Sequence, residues 1–263
     1  MVGRIIYCRK NHKRVMLMEW LWLFGIGVIA TFIGTLSGSG GLINVPAMML
    51  LGLPIHSIIS ANKFSNMLSS FSSFYVLLRR KELSMTAAMK TGPIALAGGI
   101  LGGLFASSLS QQALQLFAGG MLILALGLSF IRKKESNHLS RNVPTKALPF
   151  VGVIGWYDGT FGPGQATLQM HLFRQVGISY LTSIGLTRFN TFLSCTGAVV
   201  VYFFSGHLNM MIAIPLAVGS ITGAQLSIRI ADKLTLGQVN WLLRSMTILL
   251  ILQVCYNIFT KQF

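Results

Sequence analysis

The chain has 263 residues, 53% of them hydrophobic and only 10% charged, with a mean hydropathy of +0.67. A water-soluble domain carries roughly a quarter charged residues, so this composition excludes an ordinary soluble globule. The 21 basic against 5 acidic residues give a formal charge of +16, but these residues stand in short blocks between apolar runs. They do not gather on a water-facing domain with base-reading motifs, so no nucleic-acid partner is expected.

The first block is Arg4, Arg9, Lys10, Lys13 and Arg14, followed by an apolar run from Trp20 to Ile33 that imitates a signal peptide. No A-x-A-like cleavage site follows, so the run reads as an uncleaved first span, with Met16 and Met18 as alternative starts. Apolar segments follow at about 18–36, 42–53, 57–78, 91–108 and 112–131. A second series lies at about 148–161, 165–175, 178–204, 211–228 and 237–259. The stretches 91–131 and 189–228 contain no Asp, Glu, Lys or Arg, and 42–78 contains only Lys63. About 20 apolar residues cross a bilayer, so runs of this length each hold two spans. The chain thus divides into a basic cytoplasmic N-terminus (1–16), a first transmembrane repeat (17–131), a basic cytoplasmic linker (132–146) and a second repeat (147–263). The expected fold is an all-α polytopic membrane protein of about eight transmembrane helices, with its basic loops on the cytoplasmic side.

Three blocks support the division into related halves. Gly34-Thr-Leu-Ser-Gly-Ser-Gly-Gly stands opposite Asp158-Gly-Thr-Phe-Gly-Pro-Gly-Gln, and Asn62-Lys63-Phe64 opposite Thr187-Arg188-Phe189. Pro93, Gly98 and Gly102 stand opposite Pro215, Gly219 and Gly223. The second segment of each half has about a dozen residues, too few to cross at 1.5 Å per residue, and reads as a broken or re-entrant element. With the three basic regions on one side, the charge pattern favours four crossings per half in parallel orientation. An inverted arrangement would put one basic region outside.

The chemistry concentrates at a few positions. Gly38, Ser39, Gly40 and Gly41, and likewise Gly162, Pro163 and Gly164, interrupt apolar sequence just before the short segments. Broken backbone at membrane depth is tolerated only where protein or a water-filled cavity satisfies it, and the N–H groups of the following half-helix favour an anion. Close helix packing is the alternative use of such glycines. Lys63 and Arg188 are lone cations at equivalent positions inside apolar runs, where a charge normally faces a cavity or a partner, unless its long side chain reaches the interface. Asp158 alone among the acids lies within an apolar segment, where it can pair with either cation or carry a coupling proton. Asn62, Asn66, Gln165 and Asn190 are candidate hydrogen-bonding groups for an oxyanion. Cys8, Cys195 and Cys255 form no CxxC, and the five histidines show no metal-ligand spacing. No metal, no cofactor and no enzymatic activity are expected.

Gly38-Ser-Gly-Gly-Leu-Ile-Asn-Val-Pro46 and Ser60-Ala-Asn-Lys-Phe-Ser-Asn66 resemble the first repeat of the TauE/SafE family of sulfite-exporter-like membrane permeases. Tyr157-Asp-Gly-Thr-Phe-Gly-Pro-Gly164 and Thr187-Arg188-Phe189-Asn190 are similar to blocks of its second repeat. Ser39, Gln165 and Arg188 depart from the residues usual at their places. The resemblance implies passage of sulfite, sulfonates or related organic anions across the inner membrane.

The expected function is therefore secondary transport of a small anionic substrate, with the lipid bilayer as the other partner and a homo-oligomer left open. A non-transporting membrane anchor or assembly partner for an enzyme, acting through Arg79, Arg80 and Lys81, is the alternative.

Overall fold

The structure is a computed structural model that describes residues 2–37, 41–81, 83–129 and 142–230, with Trp241, Ser245 and Ile248. Its helices are α1 (Val2–Ser37), α2 (Gly41–Leu50), α3 (Ile55–Arg79), α4 (Met85–Ser108) and α5 (Gln111–Ser129). After the 3-10 turn Thr145–Ala147 come α6 (Leu148–Thr160), α7 (Gln165–Gln175), α8 (Tyr180–Phe204) and α9 (Met210–Ile230). No strand occurs among the described residues. Four of these helices hold stretches long and apolar enough to cross a membrane, Met18–Thr35, Met85–Ser108, Tyr180–Phe204 and Met210–Ile230. The chain is thus a multi-pass helical membrane protein.

The helix starts follow from local chemistry. Ser84 and Ser179 precede α4 and α8 in extended conformation and accept hydrogen bonds from the Ala87 and Thr182 amides. Each satisfies one of the orphan donors of a first turn. α3 is as long as α8 but serine-rich, and Ser60, Ser65, Ser69, Ser70 and Ser73 are buried in it. It lies at the centre of the bundle, where Ser65 donates to the Ser220 hydroxyl at 2.6 Å. A helix this polar belongs against protein rather than lipid.

Glycine sets the packing. A Cβ on Gly219 would strike Phe24 and one on Gly223 would strike Val28, while Ser227 donates to the Phe32 carbonyl at 2.8 Å. The contacts climb α1 and α9 together, so these helices run parallel with their backbones nearly touching. Gly98 and Gly102 meet α6 at Gly152–Trp156 and Trp156–Thr160, also in parallel. Gly92, Gly99 and Gly103 meet α8 at Phe189, Ser194 and Ala198, parallel again. Close backbone approach at small residues is the main source of helix attraction where lipid competes for apolar contact. The glycines Gly98, Gly102, Gly219 and Gly223 therefore join α4 to α6 and α9 to α1, elements of opposite halves.

α3 and α8, the segments that correspond in sequence, run in opposite directions: Phe71 stacks near Phe192 and Phe74 near Phe189, ring centroids 5.3 Å apart in each pair, and Leu77 clusters with Ile184. This reverses the parallel orientation that the basic loops favour. The ends of α3, α7 and α9 carrying Arg79, Arg174 and Arg229 and the 3-10 turn carrying Lys146 share one face with Arg80, Lys81, Leu83 and Ser84, the Arg80 face. The turns 51–54, 109–110 and 205–209 share the other, the His207 face. α1 runs with α9 and so enters from the His207 face, away from the other basic regions. The loop charges mislead because they count how many basic regions can share a side; the glycine contacts fix where each helix starts.

In the second half the chain turns back inside the bundle. α6 enters from the Arg80 face, its last turn lying against Gly102 well inside α4. The chain turns at 161–164, and α7 returns along α8, from Gln165 beside Thr191 to Met170 beside Ile184. The last expected segment, 237–259, lies almost wholly outside the described residues, as does most of the linker.

Candidate functional site

The two breaks meet. Gly41, the first residue of α2, lies so close to Pro163 that a Cβ would fall 2.9 Å from the proline Cα. The second break depends on left-handed backbone at Gly162 (φ 96°) and Gly164 (φ 84°), a conformation that glycine adopts without cost and other residues rarely adopt. Gly164 stands at the N-cap of α7 with no side-chain cap, so α7 opens at the break, where the Gln165 amide donates to the Gly162 carbonyl at 2.9 Å. Tyr157 secures the turn by donating its hydroxyl to the Pro163 carbonyl. Gly38, Ser39 and Gly40 lie outside the described residues.

Lys63 is fully buried, and its ammonium donates to Asp158 Oδ1 at 2.9 Å. The other oxygen, Oδ2, accepts from the Ser194 hydroxyl and, at 3.6 Å, from the Cys195 thiol. Gly162 lies against this pair: any side chain there would enter the space of the Lys63 ammonium and Oδ1. The carboxylate is thereby paired and hydrogen-bonded on both oxygens, the condition under which a buried ion pair is tolerated.

Arg188 is only 7% exposed and donates from Nη2 to the Gly34 carbonyl at 2.9 Å, its one hydrogen-bond partner among the described residues. Its contact repeats that of Lys63 with one substitution. Lys63 on α3 reaches Asp158 on α6; Arg188 on α8 reaches Gly34 on α1. Gly34 is the residue opposite Asp158 when the halves are compared, and glycine brings no carboxylate. Across Lys63, Asp158 and Arg188 the site is left with one positive charge.

That charge faces a cavity of about 30 Å³ lined by Thr31, Gly34, Gly41, Asn66, Gly162, Gly164, Gln165, Ala166 and Arg188. The space suits a water or two and must widen to take an organic anion. Gln165 accepts from Thr191 at 3.2 Å through Oε1, while its Nε2 is buried without a partner, as is Thr31 Oγ1. An unsatisfied buried polar atom costs about 1–3 kcal/mol, so such groups mark a place where a polar ligand or water belongs.

Not every expected residue joins this cavity. Asn62 is buried and accepts from Asn44 at 3.2 Å, its Nδ2 unpartnered. Asn190 faces α4, where its Oδ1 accepts from Thr91 at 2.9 Å. Thr31 lines the cavity, and Ser194 and Cys195 meet the Asp158 carboxylate, without having stood out as candidates in the sequence. Cys195 lies two turns beyond Arg188 on the same α8 face, and Ser194 one turn beyond Asn190. Among the described residues no cluster of three or more His, Cys, Asp or Glu side chains could hold a metal.

The family profile of the sulfite exporter TauE/SafE proteins matches residues 23–254. A probable membrane transporter protein, ORF9, from Sinorhizobium sp is 30% identical over 217 residues, spanning 80% of this chain and 82% of the relative. The probable membrane transporter protein YfcA of Escherichia coli K12 is 24% identical over 86% of this chain and 84% of its own. The probable membrane transporter protein YdhB of Bacillus subtilis is 26% identical over 78% and 85%. No solved structure matches the chain significantly. With a profile match over most of its length, carried across both breaks and both buried cations, the chain belongs to the sulfite exporter TauE/SafE family.

Proposed function

We propose that this protein is a secondary transporter of a small anion, sulfite or a related sulfonate or organic anion, in the cytoplasmic membrane, built as an inverted repeat around the paired breaks. The observation that carries the reading is the charge of Arg188, which meets no carboxylate among the described residues and is buried beside the unpartnered Gln165 Nε2 and Thr31 Oγ1. An unpaired cation inside a membrane protein costs at least about 2.5–3.5 kcal/mol, and a bound anion removes that cost. The N-terminus of α7, which opens at the break, adds the positive end of a helix dipole.

The helix directions support the inverted repeat. α2, α3 and α4 begin at Gly41, Ile55 and Met85, and α7, α8 and α9 at Gln165, Tyr180 and Met210, a constant offset of about 125 residues with the direction reversed. Two such halves, each gripping the other through α4–α6 and α9–α1, can rock so that a site at their junction faces first one side and then the other. The Arg80 face, rich in basic residues, is the cytoplasmic one on this reading.

The test is a flux screen with the full chain in liposomes, offering sulfite, sulfonates and carboxylates under imposed pH gradients. Uptake or release of one of these anions above protein-free liposomes is the expected result. If none of them moves under any gradient, the reading fails.

A further inference from the structure

The two cation contacts are the same contact made twice, and only one of them has a carboxylate built in. Lys63 and Arg188 occupy equivalent places on antiparallel helices, and each reaches across to the first element of the other half. At Asp158 that element presents a side-chain carboxylate; at Gly34 it presents a backbone carbonyl at the same distance, 2.9 Å in both cases. We propose that Asp158 is a tethered counter-anion: a fixed copy, at the Lys63 half-site, of the oxyanion group that the transported substrate presents to Arg188. This rests on the anion-transport reading, and it adds that one chain takes one anionic group at a time, held at Arg188.

The chemistry around each cation fits that division. The Asp158 carboxylate receives an ammonium, a hydroxyl and a thiol, from Lys63, Ser194 and Cys195. At the other half-site the donors at hand are of a similar kind, a guanidinium from Arg188, the Gln165 amide and the Thr31 hydroxyl, the latter two buried and unpartnered. A monovalent oxyanion placed there would meet a charged donor and neutral donors, as Asp158 does. It would leave the junction electrically neutral, with two cations and two anions. Neutrality matters because the junction has to move as a unit, and a net charge carried through a low-dielectric interior raises the cost of every intermediate position.

Two variants decide the matter. In Asp158→Gly the tether is removed, and acetate, which reproduces the deleted carboxylate, should take its place at Lys63. The thermal midpoint of the purified full chain should then rise by about 3–5 °C in 100 mM sodium acetate relative to equal sodium gluconate, while the wild type moves by less than about 1 °C. Equal shifts in the two proteins would overturn the proposal. Gly34→Asp places a second tether at Arg188 and should abolish flux of whichever anion the wild type carries, with membrane levels and monodispersity retained. Undiminished flux in Gly34→Asp would also overturn it. A wild type that moves no anion, together with acetate rescue of Asp158→Gly, would defeat the transport reading and leave the tether standing. Wild-type flux without acetate rescue would do the reverse.

Discussion

Lys63 and Asp158, 95 positions apart, form a buried ion pair at 2.9 Å that ties the third helix of the first half to the first helix of the second. The carboxylate is satisfied on both oxygens, so the pair is structural in character, and on the anion-transport reading proposed above Arg188 is the cation left to meet a substrate.

Replacing Arg188 separates these roles. Arg188→Gln should reduce anion flux in liposomes at least about tenfold, while Arg188→Lys, which keeps the charge but loses the planar fork, should retain part of it. Membrane abundance should stay near wild type in both, since among the described residues the guanidinium donates only to the Gly34 carbonyl. A glutamine variant with full flux would remove Arg188 from the binding site.

Breaking the ion pair from one side should be costly. Lys63→Met leaves the buried Asp158 carboxyl without its cation and with Ser194 and Cys195 as its donors among the described residues, and should destabilise the fold by about 3–5 kcal/mol. The double variant Lys63→Met/Asp158→Leu should recover most of that loss, because neither charge then remains unpaired. Thermal unfolding in detergent measures both, and additive losses in the double variant would contradict the pairing.

Gly162→Ala should harm the protein for two independent reasons. Its φ of 96° is strained for any L side chain, and the added methyl would intrude on the Lys63–Asp158 pair. A loss of about 2 kcal/mol or more is expected. Gly52→Ala is the control: Gly52 has φ 73° but open space around its Cβ position, so only the conformational part, about 1 kcal/mol, applies.

The His207 face should respond to acid. His207 lies in the turn after α8, its ring stacked on His56 with centroids 4.3 Å apart. Burial and then the neighbouring His56 lower its pKa from 6.5, against a hydrogen bond to the Ser107 backbone that raises it. Because the folded form resists protonation, the unfolded chain binds more protons in the window just below pH 6.5. Stability is therefore full above that pH and declines on acidification toward the folded value. His207→Gln should flatten the dependence of thermal midpoint on pH between about 5 and 7, and an unchanged slope would assign it to other groups. The turn borders a cavity of about 520 Å³ lined by Pro54, His56, Gln111 and Asn209 among others, so the same titration can be followed at this mouth.

How much of this the sequence discloses depends on how rare each signal is. A charge in an apolar run is rare, so Lys63, Arg188 and Asp158 stand out, and the glycine breaks stand out because helices in lipid avoid them without cause. Helix direction is poorly encoded: the basic blocks of 79–90 and 132–146 say which loops share a side, but one N-terminal block of uncertain start decides between parallel and inverted halves. The partner of a charge is not encoded at all, since Asp158 could equally have met Arg188. Ser194, Cys195 and Thr31 escape notice because small polar residues in membrane helices usually bond their own carbonyls, as Thr191 does to Thr187 at 2.8 Å. Asn190 shows the opposite failure, a conspicuous amide that points away from the cavity toward Thr91.

The contact between Gly41 and Pro163 bears on the energetics of the living membrane. A bilayer that holds a voltage drives about 2.3 kcal/mol of work per elementary charge for each 100 mV, so a continuous water path through the protein would discharge it. With Gly41 pressed against Pro163 and about 30 Å³ beside them at Arg188, the described residues leave room there for a water or two and not for a file of them. On the anion-transport reading proposed above, each substrate must then wait for a rearrangement of the junction, and the protein works as a carrier whose rate saturates with substrate rather than as a pore whose current follows the field.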